Sequence, residues 1–170
     1  MTVTQAIESR RSIRSFLPKA VEADKLAQIA EAFRLAPSAR NGQSWKLMIV
    51  TDPAVKAKVA AASPDGNPPS PIVSGAPAVL VGTCSTQSVM SNGHRVDSID
   101  VSIAMTFAML KAQELGLGTC WMAYYTEQGL RDALNLPEDI SVVAIMPLGY
   151  ADESPEARPR KATEEIIEYV

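Results

Sequence analysis

Val96 to Leu115 reads VDSIDVSIAMTFAMLKAQEL. Val101, Ile103, Ala104, Met105, Phe107, Ala108 and Leu110 spread apolar side chains around nearly the whole circumference of a helix. Such a helix has little surface to give to water. Either it is central in the core, or a partner subunit covers it. Gly116-Leu117-Gly118 stops it.

The flanking segments supply layers to pack on it. Upstream, Ala78 to Cys84 (AVLVGTC) and Trp45 to Thr51 (WKLMIVT) read as strands, and Asp52-Pro53 opens a helix, because proline suits a first turn. Leu26, Ile29, Ala30 and Phe33 recur at helical spacing and predict an amphipathic helix over roughly 22–35, ended by Pro37. Thr2-Val3-Thr4-Gln5 has the form of a capping box, so a short helix should follow and fray near Arg10 to Ser12. Ser38 to Ser44 is a small polar loop. Ser63 to Pro77 holds five prolines and two glycines and reads as an irregular connection. Downstream, Thr119 to Tyr125 is strand-like, Thr126 can cap a helix ending near Leu136-Pro137, and Ile140 to Leu148 is rich in β-formers. No repeat or linker divides residues 1–170, which predicts one domain of α/β or α+β class.

Composition narrows the function. Apolar residues make up 46% and charged residues 21%, as in a soluble globular protein. A net charge of −3 argues against general nucleic-acid binding, which needs a broad basic face. No apolar run approaches the ~20 residues of a membrane helix, and Met1 to Arg10 lacks the apolar core of a leader, so the expected location is the cytoplasm. Cys84 and Cys120 lie in apolar runs at no metal-type spacing and are expected to be buried free thiols. With one histidine, His94, no metal cluster or Ser-His pair suggests itself, and Gly116-Leu117-Gly118 ends a helix where a dinucleotide fingerprint would begin one.

What remains is basic charge placed locally in an acidic chain. RRSIRSF spans Arg10 to Phe16. Its guanidinium forks and serine hydroxyl suit a phosphate monoester dianion. The same cations would also complement the C-terminal dipole of a short helix, and either reading fits this stretch alone. APSARNGQSW, Ala36 to Trp45, offers Asn41 and Gln43, whose amides both donate and accept and could read a flat heterocycle, or merely form a polar turn. The tail adds Arg158 and Arg160, which could equally be solvated.

Together these segments resemble the flavin-dependent nitroreductase family over nearly the whole chain and in the right order: RRSIRSF, APSARNGQSW, the long apolar helix from near Asp100, GLGTCWMA (Gly116 to Ala123), VVAIMPLGY (Val142 to Tyr150) and RPRK in the tail. The resemblance implies an α+β fold with a mixed central sheet flanked by helices, an intertwined homodimer, and FMN sites at the subunit interface. It implies that Arg10, Arg11, Ser12 and Arg14, with Arg158 and Arg160, grip the FMN phosphate and ribityl chain. Pro37, Ser38, Asn41 and Gln43 would lie along the flavin, Asp100 near it, and Trp121, Met122 and Ala123 would bring backbone to the ring. No catalytic side chain and no metal are implied. Hydride would pass from NADH or NADPH through flavin N5 to a small nitroaromatic- or quinone-like acceptor, with ping-pong kinetics. A flavin-binding storage or sensor protein, or reductive dehalogenation on the same fold, are the alternatives. The chain departs from the pattern at Met122 to Tyr125, where relatives often carry a glycine, and has Asn67 to Pro71 and Ser88 to Arg95 where larger relatives carry a helical excursion.

Overall fold

The structure is a computed structural model that describes residues 1–62, 70–85 and 89–170. The elements run α1 (Val3–Ser9), α2 (Ala23–Arg34), β1 (Trp45–Val50), α3 (Pro53–Ala61), α4 (Pro71–Gly75), β2 (Ala78–Cys84), α5 (Val96–Glu114), β3 (Gly118–Thr119), α6 (Glu127–Leu134) and β4 (Ser141–Gly149). The capping box of α1 is formed: Gln5 N–H donates to Thr2 Oγ1 at 3.2 Å, and Thr2 N–H to Gln5 Oε1 at 2.8 Å. Asp52 caps α3 through the amides of Ala54 and Val55.

The sheet order is β1-β2-β4-β3, and every strand pair is antiparallel, which corrects the mixed sheet that the resemblance implied. The one parallel pairing among the described residues is a single bridge, Ser12 to Thr119, outside the named strands. β2 is buried along its whole length because both faces are covered. Ala78 and Leu80 point into one core, with Ile29 and Phe33 of α2 and Val101, Ala104, Met105 and Ala108 of α5. Val79 and Val81 point into the other, with Val59 of α3, Leu130 of α6, and Val142 and Ile145 of β4. Helices therefore flank an antiparallel sheet, an α+β architecture. α5 lies close on β2 because Gly82 has no side chain: a Cβ there would stand 2.8 Å from Val101 Cγ1.

One face of the long helix is central in the core, as the first of its two readings expects, and the opposite face is partly exposed. Val101, Ala104, Met105, Ala108 and Ala112 have no exposed surface. On the opposite side Ile99 and Phe107 are each 41% exposed, and with the half-buried Ile103 and Leu110 they form an apolar stripe at helical spacing. Beside the stripe, a cavity of about 390 Å³ opens between α5 and the start of the chain, lined by Met1, Val3, Ala6, Phe107 and Leu110 among others.

Two expectations need correction. The stretch expected to be irregular carries α4, because Pro71 stands in its first turn, where proline starts a helix; residues 63–69 of that stretch lie outside the described residues. The strand expected over Thr119 to Tyr125 stops as β3 at Thr119. In register, Cys120 faces Pro147, which has no N–H to return, so the pair makes only Cys120 N–H to Pro147 O, 3.3 Å. Pairing resumes at Met122, which exchanges two bonds with Ile145, each 2.9 Å.

At the far end of the sheet a polar clamp joins α2, α5 and β4. Tyr150 hydroxyl donates to Glu22 at 2.6 Å, and Lys25 reaches both Tyr150 Oη at 2.9 Å and the Leu115 carbonyl at 3.1 Å. The Tyr150 bond above all, with help from Lys19, holds the Glu22 carboxyl down at about 2 from an ordinary 4.5. A carboxyl depressed in the folded state stabilises above its unfolded value and loses that contribution as pH falls toward its folded one. Glu22→Gln should therefore flatten the acid side of the stability curve between about pH 4.5 and 2. Urea midpoints across that range test this, and parallel curves for the two proteins would refute it.

No described helix is long and apolar enough to cross a membrane.

Candidate active site

α1 ends at Ser9, and the chain leaves it extended. Residues 12–17 are then gripped from two sides. On one, Ile13 N–H donates to Thr119 O at 2.8 Å beside the Ser12–Thr119 bridge. On the other, Phe16 pairs antiparallel with Ala151, with Leu17 N–H to Tyr150 O and Asp152 N–H to Ser15 O, both 2.9 Å. This second ladder turns the tail back over the arginine segment. Arg10, Arg11, Ser12 and Arg14 thereby line one cavity of about 150 Å³ together with Pro155, Glu156, Arg158 and Arg160. Two basic clusters almost 150 positions apart in sequence meet within one chain.

The guanidiniums there are largely uncommitted. Among the described residues none of Arg10, Arg11, Arg14, Arg158 or Arg160 forms an ion pair with a carboxylate. Arg11 is the exception in role: its Nη1 donates to the carbonyls of Glu8 at 2.8 Å and Arg10 at 2.9 Å, so it completes the end of α1. Arg14 and Arg160 turn one nitrogen to the local carbonyls of Ser12, Arg158 and Pro159 and keep the rest of each fork open. Concentrated positive charge with free donors is a site for a doubly charged oxyanion, and a phosphate monoester fits that donor set.

Pro37, Ser38, Asn41 and Gln43 fall elsewhere. They belong to a one-turn 3₁₀ segment, Ala39–Asn41, and its flanks. Arg40, Asn41 and Gln43 all have left-handed φ, 53°, 55° and 48°. That backbone is held locally: Gln43 N–H donates to Ser38 Oγ at 3.1 Å and Gln43 Nε2 to Asn41 O at 3.2 Å. Asp100, only 5% exposed, accepts the Ala39 amide at 3.1 and 3.2 Å through its two oxygens. It supports the segment from behind. Pro37 and Ser38 line a cavity of about 180 Å³ with Met90, Ile99, Asp100 and Ile103, and this cavity shares no residue with the arginine cavity.

Trp121, Met122 and Ala123 continue from Thr119, next to the arginine segment. Met122 spends both its N–H and its carbonyl on Ile145, and Trp121 packs on the core shared by α2 and α5. Both cysteines are buried and free. Burial, and then the bond to Asp97 at 3.3 Å, push the Cys84 thiol up to about 12. Burial raises Cys120 as well, against the opposing charge of Arg14. Both thiols are thus kept from the reactive thiolate form at neutral pH. Sequence reasoning missed Glu153 and Thr119, whose contacts exist only once the tail and β3 are paired with residues 12–16.

Fold and site together define a class: an α+β protein whose first segment and tail bring open guanidinium forks into one cavity. The nitroreductase family model matches residues 7–150. An archaeal relative named for NADH dehydrogenase and NAD(P)H nitroreductase, from Methanothermobacter thermautotrophicus, is 30% identical, covering 93% of this chain and 82% of its own. A nitroreductase family protein of Clostridium novyi superposes with a TM-score of 0.84 at 32% identity, covering 93% of this chain and 89% of the other. An FMN-dependent nitroreductase of Clostridium difficile gives 0.84 at 27%, with 98% of each chain covered. The chain belongs to the nitroreductase family.

Proposed function

We propose that this chain is an FMN-dependent oxidoreductase that draws hydride from NADH or NADPH and passes it to a small acceptor of nitroaromatic or quinone type. The arginine cavity carries the reading, since its open forks fit the phosphate end of FMN and little else in the chain offers chemistry. When bound, FMN supplies the redox step at its N5 atom. The chain's residues bind and orient. Arg10, Ser12, Arg14, Arg158 and Arg160 hold the phosphate and ribityl chain, with Arg11 securing the end of α1 beneath them. Pro37, Ser38, Asn41 and Gln43 lie along the ring, backed by Asp100 through Ala39. Because Met122 is fully used by Ile145, the backbone groups offered to the ring from this strand end are those of Trp121 and Ala123.

The protein works as a homodimer in the cytoplasm, with residues 1–170 forming one FMN-binding domain per subunit. The apolar stripe of α5 and the exposed Val3 and Ile7 of α1 support this, because a second copy would bury them. The separation of the arginine cavity from the 37–43 cavity suits flavin sites whose two halves come from different subunits.

The test is direct. The purified protein should be yellow, release FMN on denaturation, and bleach when NADH or NADPH is added without oxygen. Steady-state plots against a quinone or nitroaromatic should be parallel. Flavin that stays oxidised under NADH and NADPH would refute the catalytic reading and leave a flavin-binding protein. Light scattering at micromolar concentration should give twice the chain mass, and a monomeric mass would refute the dimer.

A further inference from the structure

We infer that Glu153 is a positioning residue for the phosphate end of the cofactor: one oxygen of its side chain clamps the arginine segment to the tail and so sets the geometry of the anion cavity. The inference rests on the FMN reading above. Residues 150–152 pair with 15–17, and the next position along the tail is Glu153, opposite Arg14. There the backbone ladder stops and the side chain takes over. Glu153 Oε1 accepts the amide of Arg14 in a short bond and that of Ser15 at 3.2 Å. Both amides converge on the same oxygen.

The placement matters because the clamp joins two parts of the cavity wall. Arg14 carries one of the cavity's forks. Pro155, only two residues past Glu153, begins the stretch of tail that covers the cavity and bears Arg158 and Arg160. Beyond Asp152 no further backbone pairing holds that stretch to the arginine segment among the described residues. The Glu153 clamp is the last fastening before the cationic part of the tail. It also consumes the carboxylate on backbone amides, and the carboxylate makes no ion pair with the neighbouring guanidiniums. Glu153, two residues before the tail's part of the wall begins at Pro155, thus orders that wall without lining it; the acidic residue in the wall is Glu156. Without the clamp, the tail arginines would have to be ordered at the moment of binding, which lowers affinity.

Three proteins decide the matter: wild type, Glu153→Ala and Glu153→Gln. Glutamine keeps an oxygen at the same place and removes the charge. Glu153→Ala should weaken FMN binding about tenfold while riboflavin, which lacks the phosphate, changes by less than about twofold. Glu153→Gln should bind FMN at least as tightly as wild type. Independently of any flavin, the Arg14 and Ser15 amides should exchange hydrogen about fivefold faster in Glu153→Ala and return to the wild-type rate in Glu153→Gln. Equal losses for FMN and riboflavin, or unchanged FMN affinity in Glu153→Ala, would overturn the positioning role. Unaltered amide exchange would overturn the clamp itself. A wild-type protein that binds riboflavin and FMN equally would overturn the phosphate reading beneath it, and the exchange data would then show whether the clamp exists regardless.

Discussion

Arg14→Ala should raise the dissociation constant for FMN by about tenfold and leave that for riboflavin nearly unchanged. Arg14 lies in the wall of the anion cavity with only one of its nitrogens turned to a backbone carbonyl, Ser12 O at 3.2 Å. A hydrogen bond to a charged group contributes about 1.5–3 kcal/mol. The lower end applies because Arg14 is exposed and water screens its charge. Lysine at this position restores the charge without the fork, so Arg14→Lys should recover part of the loss. Added salt should narrow the gap between wild type and Arg14→Ala, because it screens the contact that was removed. Arg11→Ala is the contrasting case. Its Nη1 is occupied by Glu8 O and Arg10 O, so the substitution should loosen the end of α1 more than it weakens FMN. Flavin fluorescence on titration measures all four proteins. If Arg14→Ala retains wild-type FMN affinity, Arg14 has no part in the site.

That contrast between neighbouring arginines was not legible in the sequence. RRSIR supports both a helix end dressed with cations and a phosphate grip, and the structure divides the residues between a helix-end contact and a cavity whose forks fit a phosphate. All three arginines line the cavity, but Arg11 alone spends a nitrogen on the helix end, at the carbonyls of Glu8 and Arg10. What the sequence did carry was periodic and local. The capping box at Thr2, the amphipathic face of α2 and the length of α5 follow from spacing alone, and the structure forms all three. The misreadings came from proline. At Pro71 it starts α4 inside a stretch whose composition signals irregular chain. At Pro147 it thins the β3–β4 ladder from the opposite strand, a cause that nothing in Thr119 to Tyr125 betrays. The left-handed backbone at Arg40 and Gln43 was equally hidden, since neither residue type favours it. Glu153 is the extreme case. Its partners are nearly the full length of the chain away, and only the antiparallel meeting of 14–17 with 150–153 gives it a role.

Gly118→Ala should destabilise the protein by about 1–3 kcal/mol and weaken FMN binding with it, through one crowded contact. A Cβ at Gly118 would lie 2.6 Å from Ile13 Cγ1, 2.9 Å from its Cβ and 3.1 Å from its Cγ2. The first two are closer than packed carbons tolerate, and Ile13 has no room to retreat. It is 6% exposed, packed with Phe16, Ala76 and Ile72, and tied through its amide to Thr119 O. The strain therefore passes to the backbone of Ile13, which stands between Ser12 and Arg14. Moving that backbone moves two residues of the anion cavity. A double-mutant cycle isolates the cause. Ile13→Ala alone should cost about 2 kcal/mol, the low end for a large-to-small change because its cluster is small. In the Gly118→Ala/Ile13→Ala protein the new methyl is freed from Cγ1 and Cγ2, and only its 2.9 Å contact with the Cβ that alanine retains is left to relax. The combined cost should then fall short of the sum of the single costs by about 1–2 kcal/mol. Urea unfolding of the four proteins measures the coupling, and strictly additive losses would show that Gly118 is small for some reason other than Ile13. If FMN affinity follows the same cycle, the close approach of β3 to the arginine segment is what connects packing at the sheet edge to the binding of a phosphate.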